Sequence, residues 1–103
     1  MKQMKVVFYI QREPVAPAMR LQDALVGTFT GITVVQGVGS WRSPKGVLCQ
    51  EGVHVITLFC TDATHNRDEV RYLAMRYMRE AYQDCVLYEI NGEPFFIDNE
   101  RKL

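Results

Sequence analysis

The sequence lacks several features by which small proteins are often classified. Its three cysteines, Cys49, Cys60 and Cys85, are an odd number without a Cys-x-x-Cys pair, so neither a disulfide framework nor a zinc site is indicated. The only histidines are His54 and His65, and no cluster of acidic ligands accompanies them, which disfavours a metal site. We therefore expect no metal site.

Net charge and long apolar runs are also missing. Lys plus Arg number 12 and Asp plus Glu number 12, a balance that disfavours nucleic acid as the partner and weakly favours self-association. No apolar run approaches the ~20 residues of a membrane span, and Met1 is not followed by the apolar region of a signal peptide. We expect a cytoplasmic protein that does not bind membranes.

What is present predicts a single domain over residues 1–103. Apolar periodicity predicts five strands and two helices. The order β-α-β-β-α-β with a C-terminal extra strand is that of an α+β, ferredoxin-like sandwich. The strands are Lys5–Ile10, Ile32–Val38, Val47–Cys60, Cys85–Ile90 and Glu93–Ile97, and the helices are Pro17–Val26 and Asn66–Tyr82.

Local signals refine these elements. The third strand is long, which predicts a projecting ribbon of the second and third strands, with a bulge or bend at Gly52. Gly27 and Gly31 bracket the exit of the first helix. Asn66 is the expected start of the second helix, and Pro94 confines the last strand to a sheet edge.

The ribbon holds the residues most indicative of binding. Trp41, the only tryptophan, lies with Arg42 and Lys45 in a stretch expected to form the hairpin tip, and Glu51 follows on the third strand. Exposed aromatic and charged side chains on a loop suggest binding. The alternatives are that Trp41 packs on a sheet edge or a neighbouring subunit, and that Glu51 is a solvated strand charge.

Several stretches resemble the small phage-encoded S-adenosylmethionine lyases, formerly called SAM hydrolases. The segment from Gln83 to Leu87 is the most specific of them. The matching stretches are Phe8-Tyr9, Gly31-Ile32, an aromatic at Trp41 with Glu51 ten positions later, and Leu73-Ala74 through Gln83-Asp84-Cys85-Val86-Leu87. Gly31-Ile32-Thr33-Val34, Gly39-Ser40-Trp41-Arg42 and Glu51 also fit a related group of small uncharacterised bacterial proteins.

The resemblance implies a PII-like ferredoxin fold and a homotrimer with active sites between subunits. It implies that S-adenosylmethionine is degraded when its own carboxylate attacks its γ-carbon. The carbon–sulfur bond breaks with its electron pair going to sulfur, which yields 5′-methylthioadenosine and homoserine lactone. Such a reaction needs no cofactor and depends on holding the methionine arm folded. In a host cell it would counteract restriction–modification.

The resemblance also assigns the candidate site. Glu51 would be the catalytic residue, fixing the substrate ammonium, and Trp41 would lie against the sulfonium or adenine. Tyr9, Tyr88 and Glu89 would form the pocket wall. The lyases carry a tyrosine where this chain has Trp41, so no phenolic role passes to that position.

Other functions remain open at this stage. The first alternative is a non-catalytic PII-like trimer that binds a nucleotide or another small molecule between subunits. The second is a structural module that binds a partner through its uncovered sheet. Val35–Val38 (VQGV) also resembles the acylphosphatase loop, but here it follows the first helix instead of the first strand.

Overall fold

The computed structural model describes residues 2–98 of the chain. Neighbouring strands are antiparallel, in the order β2-β3-β1-β4-β5. This is the expected α+β, ferredoxin-like arrangement with an added edge strand. The elements are β1 (Gln3–Gln11), α1 (Val15–Phe29), β2 (Thr33–Arg42), β3 (Leu48–Thr61), α2 (Thr64–Glu80), β4 (Cys85–Ile90) and β5 (Glu93–Asp98).

The core lies between the sheet and the two helices. Strand side chains alternate between faces, so Val6, Phe8 and Ile10 of β1 all point toward the helices and are fully buried. Leu25 of α1 and Val70 of α2 close this layer from the other side. Neither α1 nor α2 covers the opposite face of the sheet, where large apolar side chains stay exposed.

The β2–β3 ribbon is more regular than the sequence predicts. Its pairing is unbroken from Thr33 opposite Thr57 to Arg42 opposite Leu48. The connection is only residues 43–47, where the Ser43 N–H donates to the Val47 carbonyl and Gly46 adopts a φ of 82°. The prediction that Trp41 lies in a loop is therefore wrong. Backbone pairing does not need apolar side chains, so the polar stretch before the turn still forms a strand.

Gly52 does not mark a bulge, because the register runs through it without interruption. A Cβ at this position would lie 2.0 Å from Nε of Arg12. The Arg12 backbone N–H donates to the Gly52 carbonyl at 3.0 Å, and its Nη1 donates to Gln36 Oε1 at 3.0 Å. The arginine side chain thus crosses the strand where glycine leaves room for it.

The helix ends also differ from the predictions. Helix α1 continues through Gly27, since burying Phe29 extends it, and the left-handed residue that ends it is Thr30, with a φ of 70°. Asn66 lies inside α2, where its side chain donates to the Thr61 carbonyl instead of capping the helix.

At the other edge of the sheet, β5 is the outermost strand, as Pro94 predicts.

Candidate functional site

The sheet face that the helices leave uncovered is called the open face here. It carries exposed apolar side chains, including Val35, Phe59 and Phe96, which are 60%, 62% and 66% exposed. The pairing register places Trp41, Glu51, Tyr9 and Glu89 on this same face. Four of the five residues singled out in the sequence therefore share one surface.

Tyr88 is not brought together with the other four. It is opposite Phe8 on the helix-covered face, where it is 3% exposed. Its ring lies 5.7 Å from that of Phe8 and stacks on Phe95 at 5.3 Å. Tyr88 is a core residue, so we leave it out of the candidate site. The alternation of the strand separates it from Glu89, its neighbour in sequence.

A pocket of about 190 Å³ opens where β1 and β4 part. Their pairing ends at Tyr9 opposite Leu87, and β1 then continues to Gln11 beside β3. Tyr77 of α2 reaches the pocket from the helix layer. The lining residues are Tyr9, Gln11, Glu51, Val53, Tyr77, Gln83, Cys85, Val86 and Leu87.

Glu51 is held from the end of β1. The Gln11 side-chain amide donates to Oε1 of its carboxylate. The Tyr77 hydroxyl in turn donates to the Gln11 backbone carbonyl at 3.4 Å. A buried helix residue, the last residue of β1 and the candidate carboxylate thus form a continuous series of contacts.

A second carboxylate lies along the same face. Tyr9 donates from its hydroxyl to Oε2 of Glu89 at 3.1 Å. Partial burial raises the pKa of Tyr9, and the hydrogen bond to Glu89 and its charge raise it further. Tyr9 therefore remains a neutral hydrogen-bond donor at physiological pH.

Tyr77 is more strongly perturbed. Its pKa is raised to about 12, mainly by burial, and the charge of Glu51 adds to the rise. Within the part of the chain that the structure describes, no Lys, Arg or His lines this pocket. The pocket is therefore acidic and aromatic, a combination that favours a cationic ligand group.

Trp41 lies next to the pocket and is not one of its lining residues. It is opposite Cys49, two residues along β3 from Glu51, and 47% exposed. The spacing of diagonal neighbours on a sheet puts it about 7–8 Å from Glu51 along the ribbon. Trp41 borders the pocket on the open face but does not line it.

Sequence reasoning missed Gln11 and Tyr77. Gln11 has the same strand alternation as Tyr9, which is a usable signal, but it lies beyond the predicted end of the first strand at Ile10. Tyr77 lies in the apolar stripe of α2, a position that usually indicates packing alone. Tyr77 also lines the pocket and donates to the Gln11 carbonyl, which it can do only because β1 and β4 separate there.

A larger concave region of about 540 Å³ lies between α2 and β5. Met75, Met78, Arg71 and Arg79 contribute to it, and none of the sequence-predicted site residues does. Gln83 borders both this region and the smaller pocket.

In residues 2–98, neither helix is long and apolar enough to span a bilayer. No group of three His, Cys, Asp or Glu side chains in that range is arranged to hold a metal ion.

Comparison with known proteins gives one family and one fold. Residues 21–93 match the model of DUF3574, described as a protein of unknown function. No curated protein matches the sequence.

Solved structures with similar folds include a phage SAM lyase in complex with S-methyl-5′-thioadenosine. Its TM-score is 0.72 at 13% identity, over 98% of this chain and 93% of that one. A phage SAM lyase in the apo state gives 0.72 at 14% identity, over 97% and 92% of the two chains. A Bacillus cereus protein related to NIF3 gives 0.59 at 17% identity, over 94% of this chain but 26% of that one. At these identities the likeness shows the fold.

Proposed function

We propose that this chain, which belongs to the DUF3574 family, degrades S-adenosylmethionine to 5′-methylthioadenosine and L-homoserine lactone. The observation that carries the proposal is the acidic, aromatic pocket around Glu51. The fold of the chain is also similar, over nearly its whole length, to that of a phage SAM lyase. S-adenosylmethionine presents two cationic groups, an ammonium and a sulfonium, to such a site.

In this proposal the protein holds the substrate instead of attacking it. Glu51 binds the ammonium through a charge-assisted hydrogen bond and folds the methionine arm. The substrate carboxylate attacks the γ-carbon, and the carbon–sulfur electron pair goes to the sulfur of methylthioadenosine. No Lys, Arg or His of the described residues lines the pocket, so this protomer supplies no cation there to the attacking carboxylate. Tyr9 and Glu89 form the adjoining wall, and Trp41 lies against the sulfonium or adenine.

A homotrimer with sites between subunits belongs to the same proposal. The pocket, at about 190 Å³, is smaller than the roughly 300–1,000 Å³ of a site that encloses a small molecule. The exposed apolar side chains of the open face are a surface that a second copy could cover. A neighbouring subunit would then supply the rest of the site. Action on the cytoplasmic pool of S-adenosylmethionine would deplete the methyl donor and counteract restriction–modification.

The test is direct turnover. Purified protein is incubated with S-adenosylmethionine, and methylthioadenosine and homoserine lactone are followed by chromatography beside an enzyme-free control. We expect both products, with Glu51→Gln losing about 10- to 150-fold in rate. Glu93→Gln, an exposed site on β5, is the matched control and should keep the wild-type rate.

Two results would contradict the proposal. Formation of products no faster than the spontaneous background excludes the lyase. Binding of S-adenosylmethionine without turnover would identify the protein as a non-catalytic binder of the same ligand.

A further inference from the structure

Glu51 is supported asymmetrically, from the last residue of β1. Beyond Tyr9, β1 loses its pairing with β4, so its end is held by β3 on one side only. Gln11 lies in this segment, and its side-chain amide donates to Oε1 of Glu51. One carboxylate oxygen is thus engaged by the protein, and a ligand ammonium would be met by the other.

The position of Gln11 is itself fixed from the helix layer. Its backbone carbonyl accepts the hydroxyl of Tyr77, which is 2% exposed. One residue further along, Arg12 donates its backbone N–H to the Gly52 carbonyl, next to Glu51. The first contact joins the end of β1 to α2, and the second joins it to β3, the strand that carries Glu51.

We propose that Gln11 is a positioning residue, which orients the Glu51 carboxylate toward the substrate ammonium and is itself anchored by Tyr77. This inference rests on the proposed function. A free carboxylate samples several rotamers, whereas an amide on one oxygen restricts it to the orientation in which the other oxygen can meet the ligand. Gln11 acts through Glu51 and does not touch the reacting atoms.

The first experiment compares Gln11→Met with wild type. Methionine keeps the length of the side chain but removes the amide donor. We expect the turnover of S-adenosylmethionine to fall about tenfold. Binding of methylthioadenosine, which lacks the ammonium, should stay within about twofold of wild type, because a well-separated contact is unchanged.

Gln50→Met is the matched control. Gln50 immediately precedes Glu51 and donates to Ser40 Oγ at 3.2 Å, but it is on the other side of the ribbon. The Gln50→Met variant should convert S-adenosylmethionine at the wild-type rate. Gln11→Glu is the second variant, in which a like charge replaces the donor, and it should lose more than Gln11→Met.

The decisive measurement is a double-mutant cycle. In a Glu51→Gln background, Gln11→Met should change the rate by no more than about twofold, because its effect passes through the carboxylate. If the two losses multiply, or if Gln50→Met equals Gln11→Met, Gln11 has no positioning role although the lyase stands. If wild-type protein neither binds nor converts S-adenosylmethionine, the proposed function fails and the inference fails with it.

Discussion

The two faces of the sheet are built from the same five strands, but one is buried under the helices and the other leaves its side chains exposed. On the helix-covered face, Phe8 and Tyr88 pack into a closed apolar layer. On the open face, one residue along each strand, Tyr9 and Glu89 form a polar contact beside exposed valines and phenylalanines. Stability is concentrated on one face, whereas the candidate site and the surface open to association are on the other.

The sharpest test of this contrast compares two phenylalanines. Phe8 is fully buried, so Phe8→Ala should lower the free energy of unfolding by about 3–5 kcal/mol. Phe59 lies on the open face and is 62% exposed, so Phe59→Ala should change the stability of the isolated protomer by about 0.5 kcal/mol or less. Chemical denaturation at high dilution measures both. Equal losses would contradict the division of roles between the faces.

A charge on the open face should break the proposed assembly. Phe59→Glu is expected to yield a protomer by light scattering, and turnover should fall at least about tenfold because each pocket loses its neighbour. Val26→Glu is the control, since Val26 is exposed on α1, away from the open face. A Phe59→Glu protein that remains trimeric and active would place the subunit interface elsewhere.

Alkaline pH should weaken the hydrogen bond by which Tyr77, in the helix layer, holds the Gln11 backbone carbonyl at the end of β1. The folded pKa of Tyr77 is raised to about 12 from the unfolded value of about 10, so its contribution to stability is complete below pH 10. That contribution is lost as the pH rises through about 12. Denaturation across this range should show a falling free energy of unfolding, with a shallower fall in Tyr77→Phe. Tyr72→Phe, on the exposed side of α2, should keep the wild-type slope.

The smallest expected effect concerns Gly52. A Cβ there displaces the end of the flexible Arg12 side chain, so Gly52→Ala should cost about 1 kcal/mol or less. The cost should vanish when Arg12 is first replaced by alanine, which opens the space. Thermal denaturation of the four proteins checks this. An undiminished cost in the Arg12→Ala background would mean that the glycine serves the backbone instead.

The sequence predicted most of the fold because alternation and turn chemistry are local. Asn91-Gly92 forms the β4–β5 hairpin turn with φ of 52° and 85°, the left-handed values for which an Asn-Gly pair is favoured. The extension of β2 through Trp41 was missed, because a polar segment can pair by its backbone alone. Thr30 in a left-handed conformation was missed because burial of the preceding residue outweighed the preference for glycine.

The site was predicted only in part, and the reason is its three-dimensional origin. Glu51 is indicated by its place on the ribbon, and Tyr9 and Glu89 by the resemblance; strand register brings all three to one face. Tyr88 was named with them, and its alternation takes it into the core. Gln11 and Tyr77 meet only because β1 and β4 diverge, a separation that no spacing along the chain records.

The single tryptophan makes this molecule its own optical reporter. Trp41 is 47% exposed on the ribbon, and the rest of the chain contributes no other indole. Its emission colour and quenching therefore depend on one location, near the pocket on the uncovered side. Unlabelled protein can be titrated with a ligand or diluted through its assembly equilibrium in a cuvette, and any change in fluorescence comes from that one place.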